Sequence, residues 1–400
     1  MVFGMAPSLS AARVATFVYF VLNGTLLGMW VVQIPAVEER VGISHATLGG
    51  LLVLLGGGAF LGMQVSGRLV DRLGTGVVVP AAGVLCSATL ALPGLAPEPW
   101  TLGAALLIFG FGNGCLDVSM NAHAVHVEKA YARPVMSAFH ATFSVGGVLA
   151  ALLGAGAAGV GMTTAATLGT VAVLGVVTAL VAARGLLPGA PVDDAEVHAA
   201  SPVGKRAVPA RIWVLAGLAL VIMLCEGAAN DWSALHLKSV LGAPEATAAL
   251  GYGAFAAAMT VGRLLADRLT ARFGPMAVLR YGSAMAAVGI TIVALLPWVW
   301  AALAGWALFG LGLSGCVPQL FSAAGHADPA AAGANVSRVA GLGYLGMLAG
   351  PAVIGWLTHL VPLNQTFLLM TLLCAVAAVA AGVLRAPGQD RTREAAPSTP

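Results

Sequence analysis

The chain has 400 residues, of which 59% are hydrophobic and only 9% are charged, with a net charge of +3 at pH 7. Soluble domains carry roughly 25% charged residues, and the mean hydropathy of this chain is +0.93. The composition excludes a soluble globular protein and indicates one that lies in a lipid bilayer. The small positive charge comes without the aromatic and basic clusters of a nucleic-acid-binding protein, so we expect no nucleic-acid partner.

Long uncharged runs recur along the chain, each close to the roughly 20 residues that cross the hydrocarbon core as a helix. The alternating segments of about ten residues that form membrane β-barrels do not occur. The first run lacks a small-x-small cleavage site, so we expect it to be a span and not a signal peptide. The sequence predicts an all-α integral membrane protein with twelve transmembrane helices, at residues 12–34, 46–66, 76–95, 99–122, 135–159, 164–184, 211–237, 247–266, 276–297, 299–321, 333–357 and 365–385.

Basic residues are unevenly distributed between the two sides of these predicted helices. With both termini inside, all of the 19 Lys and Arg residues except Arg40 and Lys238 fall on the inner side. Because short basic loops stay in the cytoplasm, we expect a multi-pass protein of the plasma (inner) membrane with cytoplasmic termini. The domains expected are a six-helix bundle at 1–184, a cytoplasmic linker at 185–210, a second bundle at 211–385 and a disordered tail at 386–400.

The five cysteines lie inside the apolar runs, without the C-x-x-C spacing of metal or redox sites. Such cysteines are typical of small buried apolar residues. We therefore expect no disulfide, no metal ligand and no cofactor.

The two halves of the chain repeat each other. The segment LIFGFGNGC, which ends at Cys115, resembles ALFGLGLSGC, which ends at Cys316. The motif GRLVDRLG, which begins at Gly67, reappears as GRLLADRLTARFG from Gly262, after the second span of each half. This repeat predicts two pseudo-symmetric six-helix bundles in parallel orientation.

Together these features resemble the major facilitator superfamily of secondary transporters, over essentially the whole chain. The family's loop motif G-x-x-x-D-R/K-x-G is matched by Gly67, Asp71, Arg72 and Gly74, although Thr75 and Gly76 stand where the family has a basic pair. More narrowly, LDVSMNAHAVHVE and RPVMSAFHATFSVGG are similar to a poorly characterised bacterial inner-membrane branch, distantly akin to the fucose:proton symporters. The resemblance implies a monomer that works by alternating access.

The loop motif has a physical interpretation as an inner gate. A carboxylate near a helix N-terminus is stabilised by unpaired N–H groups and the helix dipole, and such a contact can form in one conformation and break in the other. We expect Asp71 near the start of span 11 with Arg338, and Asp267 near the start of span 5 around Ser137. Alternatively, these residues and their neighbours Arg72 and Arg268 only anchor the topology.

Polar residues are concentrated in spans 1, 4, 7 and 10, which the resemblance places around a central cavity. An ionised side chain in lipid costs about 3 kcal/mol or more, so such residues are expected to face water or a partner. The matching residues Trp30 and Trp232 either stack on a ring of the solute or belong to the interfacial aromatic belt. The predicted solute contacts are Asn23, Trp30, Gln33, Asn113, Asn121, Asn230, Trp232 and Gln319.

Acidic residues in the same spans are candidates for carrying a proton. A carboxyl group shielded from water can hold a proton and release it as the cavity opens. Glu226, near the middle of span 7, is the first candidate, with Asp231 nearer the outside. Asp117 and His140 are expected at similar depth on a hairpin, where they can relay protons. A purely structural role, as neutral hydrogen-bonded groups, remains the alternative for each.

The function predicted from these residues is secondary transport of a small polar solute, coupled to protons. The partners expected are therefore the solute, protons and the lipid bilayer. An efflux antiporter of amphipathic compounds is the alternative. The motifs HExxH and GxSxG and a P-loop are missing from the sequence, which argues against an enzyme. A non-transporting sensor on the same scaffold stays open.

Overall fold

The computed structural model describes residues 8–131, 135–187, 208–327 and 332–384. Within these residues the chain forms twelve helices long and apolar enough to cross a membrane, so the predicted all-α class and number of spans are confirmed. They are α1 (Leu9–Val41), α2 (His45–Leu73), α3 (Thr75–Leu95), α4 (Pro99–Tyr131), α5 (Met136–Gly159), α6 (Thr164–Gly185), α7 (Ala210–Ser239), α8 (Glu245–Phe273), α9 (Pro275–Leu295), α10 (Val299–Ala327), α11 (Ala332–Leu357) and α12 (Leu363–Leu384).

Several helices extend beyond the predicted spans. Helix α1 continues to Val41 and α4 to Tyr131, whereas hydropathy ended these spans at residues 34 and 122. Hydropathy marks where a helix leaves the hydrocarbon, but backbone hydrogen bonds continue into the polar residues that follow. The predicted linker lies mostly outside the described residues, and the predicted tail 386–400 lies wholly outside them.

Glycines stop α2 and α8 at equivalent positions of the repeat. Gly74 follows α2 with a φ of 76°, and Gly274 follows α8 with a φ of 81°. This left-handed backbone favours glycine, because a Cβ atom would clash with the following carbonyl group. The last glycine of the loop motif is therefore explained by chain reversal into α3.

Close helix contacts also recur in both halves. A methyl group on Gly24 of α1 would lie 2.0 Å from the carbonyl oxygen of Phe143 in α5. One on Gly227 of α7 would lie 2.2 Å from the carbonyl oxygen of Met347 in α11. Small residues let membrane helices approach to backbone contact. The sequence repeat therefore corresponds to a repeated way of packing the first helix of each half against the fifth.

The two halves touch through α2 with α11, α5 with α8 and α1 with α7. They are most tightly joined at the end where α1 finishes and α2 begins, which we call the closed end. There a Cβ atom on Gly49 of α2 would lie 2.7 Å from the Cα of Gly355 in α11. Lys238 of α7 also lies 3.7 Å from Glu39 of α1.

The opposite end carries most of the Lys and Arg residues, and we call it the basic end. In the described part of the chain, α4 and α10 each pack extensively only against helices of their own half. Asp71 and Asp267 are exposed there, and neither takes part in an ion pair between described residues. The halves therefore diverge toward the basic end.

Candidate functional site

Polar side chains of six helices lie between the two halves, in a region that we call the central cleft. Small-residue contacts bring α1 close to α5 and α7 close to α11 within each half, and Gly147 of α5 lies against Tyr252 of α8 across the halves. The cleft residues are Asn23 of α1, Asn113, Asp117 and Asn121 of α4, His140 and Ser144 of α5, Glu226 and Asn230 of α7, Arg263 of α8 and Tyr344 of α11.

The polar stripe on α4 is formed by Asn113, Asp117 and Asn121, which repeat every four residues along one helix face. The Nδ2 group of Asn113 donates to Oδ1 of Asn23 at 2.9 Å and so links α4 to α1. The Nδ2 group of Asn121 donates to the Asp117 carbonyl oxygen at 2.8 Å and to its Oδ1 at 3.3 Å. Among the described residues, the Asp117 carboxylate has no cationic partner.

Arg263 connects the two halves. Its Nη2 donates to Oε1 of Glu226 at 2.8 Å, which forms an ion pair between α8 and α7. Its Nη1 donates at 2.8 Å to the hydroxyl of Ser144, which belongs to α5 in the other half. One guanidinium thus joins an acidic group of its own half to a neutral group of the opposite half.

Three further groups interact electrostatically with this pair. His140 of α5 lies in the field of Arg263. Tyr252 of α8 interacts with both members of the pair and with Asp231. Tyr344 of α11 interacts with Glu226 and also with Asp117 across the cleft. The carboxylates of α4 and α7 therefore belong to one electrostatic environment.

The ion pair is only partly shielded from solvent. The side chain of Glu226 is 12% exposed and that of Arg263 is 29% exposed. Water screens this partly buried pair less than it screens a pair on an open surface. The exposure that remains gives a proton a route to Glu226. A proton there removes the negative charge and so weakens the bond from Arg263 to Glu226, while the bond to Ser144 is unaffected by the proton. The arrangement can therefore convert proton binding into a change in the contact between the halves.

Comparison with known families decides what kind of protein carries this cleft. The family model described as Major Facilitator Superfamily matches residues 14–337 and 234–400. The chain belongs to the Major Facilitator Superfamily. It is therefore a multi-pass membrane protein of a family of secondary transporters, which bind small-molecule substrates within the membrane.

Relatives and solved structures agree with this membership in the superfamily. An uncharacterised MFS-type transporter of Yersinia pestis is 37% identical over 376 residues, which cover 93% of this chain and 96% of that protein. A bacterial homologue of the human lysosomal transporter Spinster, solved in an inward-facing and occupied conformation, matches with a TM-score of 0.76 at 16% identity and covers 95% of this chain and 97% of that one. A mutant of the nucleoside transporter NupG gives a TM-score of 0.75 at 13% identity and covers 94% and 100%. At these identities the two structures show the shared fold alone.

The expected relay between Asp117 and His140 has no direct hydrogen bond in this conformation and stays a prediction. The two residues share no hydrogen bond, and the His140 ring instead meets the ring of Phe20 edge-on, with centroids 5.3 Å apart. Similar depth on a hairpin did not fix the direction of the side chains, because α5 turns His140 toward α1 and Arg263. Asp231 is 9% exposed and interacts with Tyr252, which also interacts with Glu226 and Arg263, but among the described residues it forms no ion pair.

The two tryptophans are not in the cleft, which corrects their expected placement. Trp30 and Trp232 are fully buried, so they contact neither a cleft solute nor the membrane interface in this conformation. The Nε1 of Trp232 donates to the carbonyl oxygen of Pro351 in α11 at 3.1 Å, and its ring meets His45 of α2 edge-on at 5.9 Å. Both tryptophan rings therefore fill space inside the closed end, where no solvent reaches them.

Two predicted solute contacts also lie away from the cleft. Gln33 lines a small crevice with Glu245 where α1, α5 and α8 meet, near the closed end. Gln319 is 6% exposed, and its Nε2 donates to the hydroxyl of Thr270 of α8 at 2.8 Å. Asn113, Asn121 and Asn230 are the predicted amides that remain partly exposed, whereas Asn23 is 1% exposed and bonded to Asn113.

The predicted gate contacts are not formed in this conformation. Arg338 donates to Oδ1 of Asn335 on its own helix at 3.1 Å and not to Asp71. The start of α5, expected to receive Asp267, is occupied by Glu128 of α4, whose Oε2 accepts from the backbone N–H of Val135 at 2.7 Å and of Met136 at 2.8 Å. The side chain of Ser137 lies outside the described part. Because the halves diverge at this end, the gate stays a prediction for the opposite conformation.

Sequence reasoning missed Arg263 and Ser144 as site residues. Arg263 lies one turn before Asp267 in the repeated motif. From the motif we expected Arg263 to be one of the basic residues at the inner end of its span. Its counterpart Arg68 is indeed exposed. The motif alone therefore does not distinguish Arg68 from Arg263. The side chain of Arg263 points into the cleft, where it binds Glu226.

Proposed function

We propose that this superfamily member is a proton-coupled transporter that moves a small polar solute across the plasma membrane by alternating access. The observation that carries the proposal is the position of Arg263, which bonds Glu226 in its own half and Ser144 in the other. A group that joins the halves and depends on a titratable partner is what coupling requires. The proton carrier in this scheme is Glu226, with Asp117 as a second acidic site.

The direction in which the cleft opens follows from the basic residues. Short loops rich in Lys and Arg remain in the cytoplasm, which supports a cytoplasmic basic end and both termini inside. The closed end then faces outward, and the conformation described is open to the cytoplasm. The contacts Gly49 with Gly355 and Lys238 with Glu39 keep the outer side shut.

Alternating access needs a second conformation in which the basic end closes. In that conformation Asp71 reaches the start of α11 and Arg338, while Asp267 replaces Glu128 at the start of α5. The two halves, residues 1–184 and 211–385, move as the two units. Protonation of Glu226 weakens its bond to Arg263. The proton therefore favours whichever of the two conformations binds it more tightly, in proportion to the difference between their proton affinities.

Uptake into proteoliposomes under an imposed pH gradient tests this function. Radiolabelled sugars, amino acids, organic acids and cationic dyes are supplied outside, with and without a protonophore. Accumulation of one solute class that the protonophore abolishes is the expected result, and accumulation under the reversed gradient would indicate the efflux antiporter instead. Equal fluxes in protein-containing and empty vesicles for every class would contradict the proposal.

A further inference from the structure

We propose that the transported solute carries an anionic group, such as a carboxylate, and that Arg263 binds this group once Glu226 is protonated. The inference rests on the proposed transport function and names the class of its substrate. It is carried by the charges of the central cleft and by the geometry of one guanidinium.

The net charge of the cleft side chains changes sign when the cleft carboxylates bind protons. Arg263 is the one Lys or Arg among the cleft residues, and Asp117 and Glu226 are the two carboxylates. With both carboxylates ionised the cleft carries a net negative charge and repels an anion. With both protonated, the guanidinium is the remaining charge and attracts one.

The other titratable groups near Arg263 do not reverse this change. His140, on the neighbouring helix α5, adds positive charge when it binds a proton. Tyr252 on α8 and Tyr344 on α11 are neutral phenols at ordinary pH. Asp231 of α7 lies nearer the closed end and acts on Tyr252. Proton binding to any of these groups that accepts one therefore makes the cleft more favourable for an anion.

The guanidinium offers the geometry that a carboxylate requires. Its Nη2 is occupied by Oε1 of Glu226 and its Nη1 by the Ser144 hydroxyl, both at 2.8 Å. A planar guanidinium can bind a carboxylate through two parallel hydrogen bonds. The solute carboxylate can thus take the place of the Glu226 carboxyl group, because a charged acceptor binds Arg263 more strongly than a protonated one.

Neutral polar groups complete the site on the facing half. The amides of Asn113 and Asn121 on α4 are partly exposed and can bind hydroxyl or carbonyl groups of the solute. An anion and a proton then stabilise the same loaded cleft. Because the coupling of two ligands is reciprocal, the anion raises proton affinity as the proton raises anion affinity.

Binding of matched acid and amide pairs to the purified full-length protein tests the inference. The probes are benzoate with benzamide and lactate with lactamide, measured by ligand-induced thermal stabilisation at about pH 6 and about pH 8, where both acids stay ionised. Wild type should bind at least one acid about tenfold more tightly than its amide, and more tightly at the lower pH. Equal affinities for acid and amide, or no acid binding to folded protein, would overturn the inference.

Variants of the pair locate the effect. E226Q removes the charge of this carboxylate at every pH, so acid binding at about pH 8 should rise toward the low-pH affinity of wild type, and its dependence on pH should weaken to what Asp117 and His140 contribute. R263Q should lose the preference for the acid, and the double variant E226Q/R263Q should lose it too, without leaving an unpaired charge that prevents folding. R280Q removes an arginine of the peripheral helix α9 and should behave as wild type. Retained acid preference in the double variant would contradict the proposal.

Failure of the inference and failure of the transport function are distinguishable. If a neutral sugar or amide moves protons into proteoliposomes while neither acid binds, the protein is a proton-coupled transporter and the anionic substrate class is wrong. If the acids bind with the expected dependence on Arg263 but no solute moves protons, the binding site stands and the coupled transport does not.

Discussion

Gly355 of α11 faces Gly49 of α2 so closely that a Cβ atom on Gly355 would lie 2.6 Å from the Cα of Gly49. The two backbones belong to different halves and meet at the closed end. No larger side chain can replace either glycine without separating the helices there. Closure of this end therefore depends on the absence of two side chains.

Gly355→Ala should open the closed end. The added methyl group disfavours the close contact by about 1–3 kcal/mol, which shifts the population toward the alternative conformation about fivefold or more. A cysteine introduced at Ala36, which lines the crevice near this end, should then react faster with a membrane-impermeant maleimide. The five native cysteines are buried and contribute little background.

Gly50→Ala is the matched control, because a Cβ atom at Gly50 meets nothing within 4 Å. It should leave the labelling rate at Ala36→Cys unchanged. Equal rates in the Gly355→Ala and Gly50→Ala backgrounds would show that the glycine contact does not control closure.

Loss of one partner of the Arg263 and Glu226 pair should destabilise the protein, and loss of both should cost less. Breaking a fully buried pair by removing one partner costs roughly 3–5 kcal/mol, and partial exposure reduces this to about 2 kcal/mol here. In detergent, R263Q should lower the midpoint of thermal unfolding more than E226Q/R263Q does. Additive effects of the two single variants would indicate that the pair has no coupling in solution.

Glu128 should protect the start of α5. Its carboxylate accepts from the N–H groups of Val135 and Met136, and loss of such an N-terminal contact costs about 1 kcal/mol. In E128A, amide hydrogen exchange over residues 135–139 should accelerate about fivefold. Lys129→Ala, which removes an exposed charge from the next position, should not change it; equal acceleration in both variants would point to general loosening of α4.

Asp71→Asn should favour the conformation open at the basic end. The contact with Arg338 and the start of α11 exists in our account only when that end closes, so its loss removes a stabilising interaction from one conformation alone. Distances between spin labels on α4 and α10 should shift toward the longer population, and transport should slow. Glu98→Gln, an exposed change elsewhere, serves as control. Unaltered transport with normal expression would remove the support for a gate.

The fold was predictable because the bilayer imposes a simple rule on helices. Apolar length identified twelve spans, and the repeated motif after the second span predicted the symmetry that the glycine stops Gly74 and Gly274 display. Boundaries were less accurate, since Val41 and Tyr131 lie in polar helix ends that hydropathy does not register.

The candidate site was predictable only at the level of helices. The stripe on α4 could be found because helical periodicity puts Asn113, Asp117 and Asn121 on one face. Arg263 could not, since a long side chain near the predicted end of a span can reach either the loop or the cleft, and tertiary packing decides which. Trp232 shows the converse: an aromatic residue in a polar segment was buried by contacts with α2 and α11 that only the assembled bundle reveals.

If Glu226 carries the coupled proton, its replacement must abolish the proton movement that accompanies transport, and the internal pH of proteoliposomes reports that movement. Sugars, amino acids, organic acids and cationic dyes are added in turn to vesicles containing wild type, E226Q or the control E98Q, with a pH-sensitive dye inside. We expect one solute class to change the internal pH in wild type and E98Q, and this change to be absent in E226Q although the protein is folded. The same pH change in E226Q as in wild type would show that Glu226 does not carry the coupled proton.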